Sequence, residues 1–230
     1  MTATLARRIV SEFIGTGFLV AAVIGSGIMG QRLAAGNIAI ALLANTIATG
    51  AALVALILTF GPISGAHFNP AVTLMDAIEH RIAWADAGWY GAAQCLGGFC
   101  GTITSHLMFR LPLISISRHA RSGPAQNFSE FVATFGLLTV IWGCSRLHSE
   151  MVPFAVGAYI TAAYWFTSST SFANPAVTIA RSFTDTFAGI QPTDIAGFIA
   201  AEVAGALAAT FLFRWLAPDL SIGRESSCDA

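Results

Sequence analysis

Residues 64–73 read Ser-Gly-Ala-His-Phe-Asn-Pro-Ala-Val-Thr, and residues 172–178 read Phe-Ala-Asn-Pro-Ala-Val-Thr. In both stretches the Asn can cap the start of a helix, and the Pro can occupy its first turn, where a missing N–H costs no hydrogen bond. The apolar run that follows each Asn is shorter than the roughly 20 residues that cross a membrane. The motifs Asn69-Pro70-Ala71 and Asn174-Pro175-Ala176 therefore predict a matched pair of short helices.

Six longer apolar segments flank these motifs, and each is long enough for a membrane helix. They are residues 9–31, 37–60, 85–109, 128–147, 151–169 and 195–217. Each half of the chain holds three spans, an odd number, so the second half must enter the membrane from the opposite side. The sequence therefore predicts an all-α membrane protein with six transmembrane helices and two re-entrant half-helices in an inverted repeat.

Shorter matches outside the motifs also indicate a repeat. Ser11-Glu12-Phe13 recurs as Ser129-Glu130-Phe131, and Ala93-Gln94 recurs as Ala201-Glu202. We expect a single transmembrane domain over residues 1–230. Its parts are a first repeat (1–109), a connecting loop (110–127), a second repeat (128–217) and a polar tail (218–230).

The composition excludes several classes of protein. The 230 residues are 55% hydrophobic and 10% charged, whereas soluble domains carry about 25% charged residues. We expect a lipid bilayer to cover most of this surface. The net charge of −1 provides no basic surface for nucleic acid. The four cysteines form no paired ligand motif, so neither a metal nor a cofactor is predicted.

The half-helices predict a conduit for neutral molecules. A helix N-terminus carries a partial positive charge, and two of them meeting at the bilayer centre repel a cation while a neutral solute accepts hydrogen bonds from Asn69 and Asn174. Non-helical backbone at this depth must line a cavity or be buried in protein. We therefore expect the backbone before the motifs to line a pore, at Gly65, Ala66, His67, Ser169 and Thr170.

The chain, apart from its last dozen or so residues, resembles the aquaporin (major intrinsic protein) family. The landmarks are Glu12-Phe13-Ile14-Gly15-Thr16, the stretch 64–73, Ala93-Gln94 and the second Asn-Pro-Ala motif. The resemblance implies a homotetramer with one pore per subunit, passive conduction of water or small neutral solutes, and a cytoplasmic N-terminus in a cell membrane, here a bacterial inner membrane. Arginine counts, six on the N-terminal side against five, favour the same orientation.

The resemblance also assigns roles to buried polar residues. In the family, the residues that match Glu12 and Glu130 brace the loops before the two motifs, and Gln94 and Glu202 are expected to support the half-helices. The family usually has arginine directly after the second motif, where this chain has Val177. The other filter positions, counted without gaps, fall on Thr49, Ala162 and Ser171.

Small uncharged residues at these four positions indicate a wide constriction. They resemble divergent bacterial members that handle glycerol-like polyols and neutral metalloid acids such as arsenite or methylated arsenicals, as well as water. One alternative is a water-selective channel in which Arg181 replaces the missing arginine; the other expectation for Arg181 is a surface pair with Asp185. A second alternative is an ion-coupled transporter that uses Glu12, Glu130 or Glu202. No nucleophile and base pair is visible, so the chain is not expected to be an enzyme.

Overall fold

The computed structural model describes residues 3–217, and the predicted polar tail lies outside the described residues. This part of the chain is helical and has no strand. The helices are α1 (Leu5–Leu33), α2 (Ile38–Ser64), α3 (Pro70–Ile78), α4 (Trp84–Phe109), α5 (Pro124–Leu147), α6 (Val152–Phe166), α7 (Pro175–Arg181) and α8 (Ile195–Leu216). Single 3-10 turns precede α6 (Ser149–Met151) and α8 (Pro192–Asp194).

Four helices (α1, α2, α5 and α8) are long and apolar enough to cross a membrane by length and composition. The 26 residues of α4 are also long enough, but polar side chains such as Gln94, Thr102 and Ser105 lie buried on its inner face and lower its hydropathy. Helix α6 has 15 residues and is shorter than predicted because the chain leaves the helix after Phe166. Both helices occupy the positions that the six-span prediction assigned to them.

The two halves pack in the same way. Helix α1 contacts α2 and α4, and α5 contacts α6 and α8. The half-helices cross between the halves, because α3 packs on α4 and α8 while α7 packs on α8 and α4. Gly97 and Gly205 are equivalent glycines at which helices meet closely: a Cβ there would collide with the carbonyl oxygen of Phe13 or Phe131. The fold is therefore the predicted inverted repeat.

Both half-helices begin where the motifs predicted. The Oδ1 atom of Asn69 accepts the N–H of Ala71 at 2.9 Å, and Oδ1 of Asn174 accepts that of Ala176 at 3.0 Å. Helix α3 has nine residues and α7 has seven. The start of α5 differs from the prediction: it lies at Pro124, four residues before the predicted span, because Pro again fits a first helical turn.

Candidate functional site

The two motif asparagines hold the half-helices together. The Nδ2 atom of Asn69 donates to the carbonyl oxygen of Ala173 at 2.7 Å, and Nδ2 of Asn174 donates to that of Phe68 at 2.8 Å. Each therefore binds the residue directly before the other motif. A side-chain amide has two N–H groups, so each asparagine retains one donor beyond this cross-contact.

Two buried carboxylates brace the loops before the motifs. Glu12 accepts the backbone N–H groups of His67 (3.0 Å) and Phe68 (2.7 Å). Glu130 accepts those of Phe172 (2.9 Å) and Ala173 (2.7 Å). These loop residues are equivalent, since they lie 105 positions apart, as Asn69 and Asn174 do.

The braced loops share an unusual backbone. Ala66, Phe68, Ser171 and Ala173 have φ between +49° and +51°, a left-handed conformation that costs free energy in residues with a Cβ. The carboxylates of Glu12 and Glu130 fix the N–H groups of these turns, so charge-assisted hydrogen bonds stabilise the strained conformation.

Gln94 and Glu202 also reach the half-helices. The Nε2 atom of Gln94 donates to Glu12 at 2.8 Å and to Oγ1 of Thr73 at 2.9 Å. The Oε1 atom of Glu202 accepts the N–H of Asn174 at 3.2 Å and the hydroxyl of Thr178 at 2.7 Å. Both residues thus contact the Thr that lies four positions after a motif Asn.

One cavity of about 240 Å³ runs past both motifs, and Asn69 and Asn174 border it. At one end it is bordered by Asp76, Arg81 and Ser145; we call this end the Asp76 mouth. At the other it is bordered by Thr49, Tyr164 and Arg181; we call this end the Arg181 mouth. Because α3 and α7 run from the centre in opposite directions, the mouths lie on opposite sides of the half-helix junction.

Three of the four predicted filter residues border this cavity, namely Thr49, Ser171 and Val177. Ala162 does not: it is exposed on the outside of α6, and the expectation for it is not met. Ile160 and Tyr164, one helical turn apart, face the cavity instead. Residues 167–173 are irregular, so counting without gaps back from the second motif put α6 out of register.

Only part of the backbone that was predicted to line a pore borders the cavity. Gly65, Ala66 and His67 border the cavity, whereas Ser169 and Thr170 do not. The carbonyl oxygen of Ser169 is instead bound by Nη1 of Arg121 at 3.2 Å. On this side the lining begins at Ser171, whose hydroxyl is buried and has no hydrogen-bond partner in the described part of the chain.

Arg181 points into the protein and borders the cavity, with 2% of its surface exposed. Its Nε atom donates to the carbonyl oxygen of Ala188, and its guanidinium carbon lies 3.3 Å from the centre of the Phe172 ring. The expected surface pair with Asp185 is wrong. Helix α7 ends at Arg181, so Asp185 is not one helical turn further on, and its carboxylate accepts the N–H of Arg118 at 2.9 Å.

Sequence reasoning missed the Asp76 mouth. Asp76 lies 3.0 Å from Nε2 of His67 and 4.0 Å from Arg81. The other ring nitrogen of His67 lies 3.0 Å from Oγ1 of Thr73. A signal was present, since Asp76 and Arg181 both lie seven residues after a motif Asn.

Comparisons with known proteins agree with this geometry. A sequence model of the family described as "Major intrinsic protein" matches residues 1–171. The chain belongs to the major intrinsic protein family. It is similar to aquaglyceroporin AqpS of Rhizobium meliloti (strain 1021), with 56% identity over 97% of this chain and 96% of that protein. It is also similar to aquaporin NIP1-1 of Oryza sativa subsp. japonica, with 34% identity over 90% of this chain and 73% of that protein.

The fold is also found in a solved structure. The X-ray structure of the aquaglyceroporin from Plasmodium falciparum superposes with a TM-score of 0.72, at 21% identity, over 96% of this chain and all of that one. Membership of the family confirms the predicted fold of six spans and two re-entrant segments. The chain is a multi-pass membrane channel and not an enzyme.

Proposed function

We propose that this channel conducts small neutral solutes passively through the cavity between its two mouths. The observation that carries the proposal is the cavity itself, which passes both motif asparagines and is bordered by the residues of both mouths. The solutes are glycerol-like polyols, neutral metalloid acids such as arsenite or methylated arsenicals, and water. The similarity to a protein named aquaglyceroporin supports the larger solutes.

The buried carboxylates argue against ion-coupled transport. Glu12 and Glu130 are occupied by backbone N–H groups, and Glu202 binds Asn174 and Thr178. Among the described residues, none of these three glutamates borders the cavity. A coupling ion would have to displace the hydrogen bonds that hold the loops, so we assign these residues to the scaffold.

The Arg181 mouth has two layers. In the first layer, Val177 lies in the first turn of α7 and carries no charge. Together with Thr49 and Ser171 it forms a wide constriction of mixed polarity. Arg181, one turn further from the centre, supplies the positive charge. Its described hydrogen bond uses only Nε, so its terminal nitrogens remain for a solute. We propose that Arg181 opposes cations while the Val177 layer admits solutes larger than water.

We further propose a homotetramer in a bacterial inner membrane, with one pore per subunit and the N-terminus in the cytoplasm. Family membership supports this assembly, and lipid would cover exposed apolar side chains such as Phe18, Trp89 and Phe211. The repeats then comprise residues 1–109 and 128–217, with 110–127 as the connection and 218–230 as the tail.

The test compares swelling of proteoliposomes in water, glycerol and arsenite gradients. Val177→Arg adds a long cationic side chain beside the cavity, so it should reduce glycerol and arsenite flux at least about tenfold, a barrier increase of about 1.4 kcal/mol, and reduce water flux much less. Asn69→Ala and Asn174→Ala should each impair conduction.

Val177→Leu, an apolar change at the same position, serves as the matched control at equal membrane abundance. Equal fractional losses of water and glycerol flux in Val177→Arg would show that Val177 does not select by size. Accumulation of solute that depends on a proton or sodium gradient would overturn passive conduction.

A further inference from the structure

Arg121 reaches from the connection between the two halves to the back of the Arg181 mouth. Its Nε atom donates to the carbonyl oxygen of Gly189 at 2.8 Å, Nη1 to that of Ser169 at 3.2 Å, and Nη2 to that of Phe187 at 3.4 Å. Its own backbone N–H donates to Asp194 at 2.7 Å. Arg121 is therefore fixed at both its backbone and its guanidinium group.

A short segment of the chain binds both Arg121 and Arg181. Residues 187–189, which we call the carbonyl turn, present three successive carbonyl oxygens to two guanidinium groups. Arg121 takes the first and third, and Arg181 takes that of Ala188. Ala188 is fully buried, so the position of the turn fixes the base of the Arg181 side chain.

Phe172 provides a second link between the two arginines. The guanidinium carbon of Arg181 lies 3.3 Å from the ring centre, and that of Arg121 lies 5.1 Å from it. Cations are attracted to the face of an aromatic ring. In the described residues neither arginine side chain forms an ion pair with a carboxylate, so carbonyl oxygens and the ring offset two like charges.

We propose that Arg121 is a positioning residue for Arg181. By holding the carbonyl turn and one side of Phe172, it keeps the Arg181 guanidinium against the wall of the cavity. Without Arg121 the turn loosens, and Arg181 swings further into the lumen toward the unpartnered hydroxyl of Ser171. The connection between the halves thereby sets the width of the mouth. This inference rests on the proposed role of Arg181 in selectivity.

The test is a double-mutant cycle on Arg121→Met and Arg181→Met, with the glycerol-to-water permeability ratio measured in proteoliposomes. Arg121→Met should lower the ratio on the order of three- to tenfold, a change within the range of interaction free energies between contacting residues. Arg181→Met should raise it. In the double variant the ratio should equal that of Arg181→Met alone, because Arg121 acts only through Arg181.

Arg118→Met is the matched control, since Arg118 is exposed and lies on the same connection; it should leave the ratio unchanged. If the effects of the two methionine substitutions multiply, or Arg121→Met leaves the ratio unchanged, the positioning role is refuted. If instead Arg181→Met has no effect, the proposed function of Arg181 fails, which is a separate result.

Arg121→Lys guards against loss of folding in Arg121→Met. A lysine keeps the charge but lacks the planar fork that reaches several carbonyl oxygens. It should lower the ratio by less than Arg121→Met does, and this smaller effect should also vanish beside Arg181→Met. A full effect that persists in the Arg181→Met background would overturn the proposal.

Discussion

Helices α3 and α7 are the equivalent half-helices of the two repeats, but their last turns carry opposite charges. Both begin with a capped Asn-Pro-Ala motif after a carboxylate-braced loop, and both carry a valine that borders the cavity, Val72 and Val177. Seven residues after the motif Asn, however, α3 has Asp76 and α7 has Arg181. The backbone scaffold is thus repeated, while the side chains at equivalent positions near the mouths differ in sign.

The residues that contact Asp76 and Arg181 also differ between the two repeats, and each suits the charge that it contacts. Asp76 lies 3.0 Å from a ring nitrogen of His67, and Arg181 lies 3.3 Å from the ring centre of Phe172, the equivalent residue. A carboxylate needs an N–H donor, whereas a guanidinium is stabilised by the face of an aromatic ring. The two halves therefore differ in pairs of contacting residues, which gives the cavity two chemically distinct ends.

Substitution of the two bracing glutamates should reveal the largest difference between the halves, a difference in stability. Among the described residues, each oxygen of Glu12 accepts two hydrogen bonds, from Ser64, His67, Phe68 and Gln94, whereas each oxygen of Glu130 accepts one backbone N–H. Glutamine replaces one acceptor oxygen by a donor. Each buried donor left unpaired costs about 1–3 kcal/mol. Glu12→Gln should therefore lower the unfolding temperature in detergent roughly twice as much as Glu130→Gln.

Glu150→Gln makes the same chemical change at an exposed position and should leave the unfolding temperature unchanged. An equal loss in Glu12→Gln and Glu130→Gln would show that the number of accepted hydrogen bonds does not set the stability of each half.

The sequence predicted the scaffold better than the mouths, for a physical reason. Caps, proline in the first turn and apolar length are local signals, so the starts of α3 and α7 were found at Asn69 and Asn174. Side-chain direction after irregular backbone is not local. The non-helical stretch 167–173 shifted the register that placed Ala162, and the end of α7 removed the expected contact between Arg181 and Asp185.

The connection between the halves is a second region whose contacts could not be predicted from the sequence. The sequence does not distinguish Arg121 from the other residues of the connecting loop, because its hydrogen bond to the carbonyl of Ser169 joins residues far apart in sequence. Asp76, in contrast, was within reach of sequence reasoning. Extending the 105-residue offset beyond Thr73 and Thr178 pairs it with Arg181 and marks both as residues of the two mouths.

Neutralising each charge should have opposite effects on leakage of small cations. Arg181→Gln removes a positive charge beside the cavity and lowers the barrier, so cation flux should rise about tenfold, the change that accompanies about 1.4 kcal/mol. Asp76→Asn removes a negative charge that attracts cations to its mouth, so the same flux should fall. The measurement is cation-driven decay of a fluorescent signal in proteoliposomes.

Water flux, measured in the same vesicles, serves as the control for abundance and folding of both variants. If both substitutions raise cation flux, the two mouths do not act through the sign of their charge. The contrast between Asp76 and Arg181 would then concern only the packing of His67 and Phe172.

The smallest expected effect concerns the register of α6. Ile160 has 6% of its surface exposed and borders the cavity, whereas Ala162, two residues further on, faces outward. Tryptophan at position 160 should narrow the path, so Ile160→Trp should reduce glycerol flux modestly and reduce water flux less. Ala162→Trp should leave both fluxes and their ratio unchanged at equal membrane abundance, because its side chain extends away from the lumen. If Ala162→Trp blocked glycerol while Ile160→Trp did not, the original count from the second motif would be right, and α6 would have to be rotated by about half a turn, since two residues advance a helix by roughly 200°.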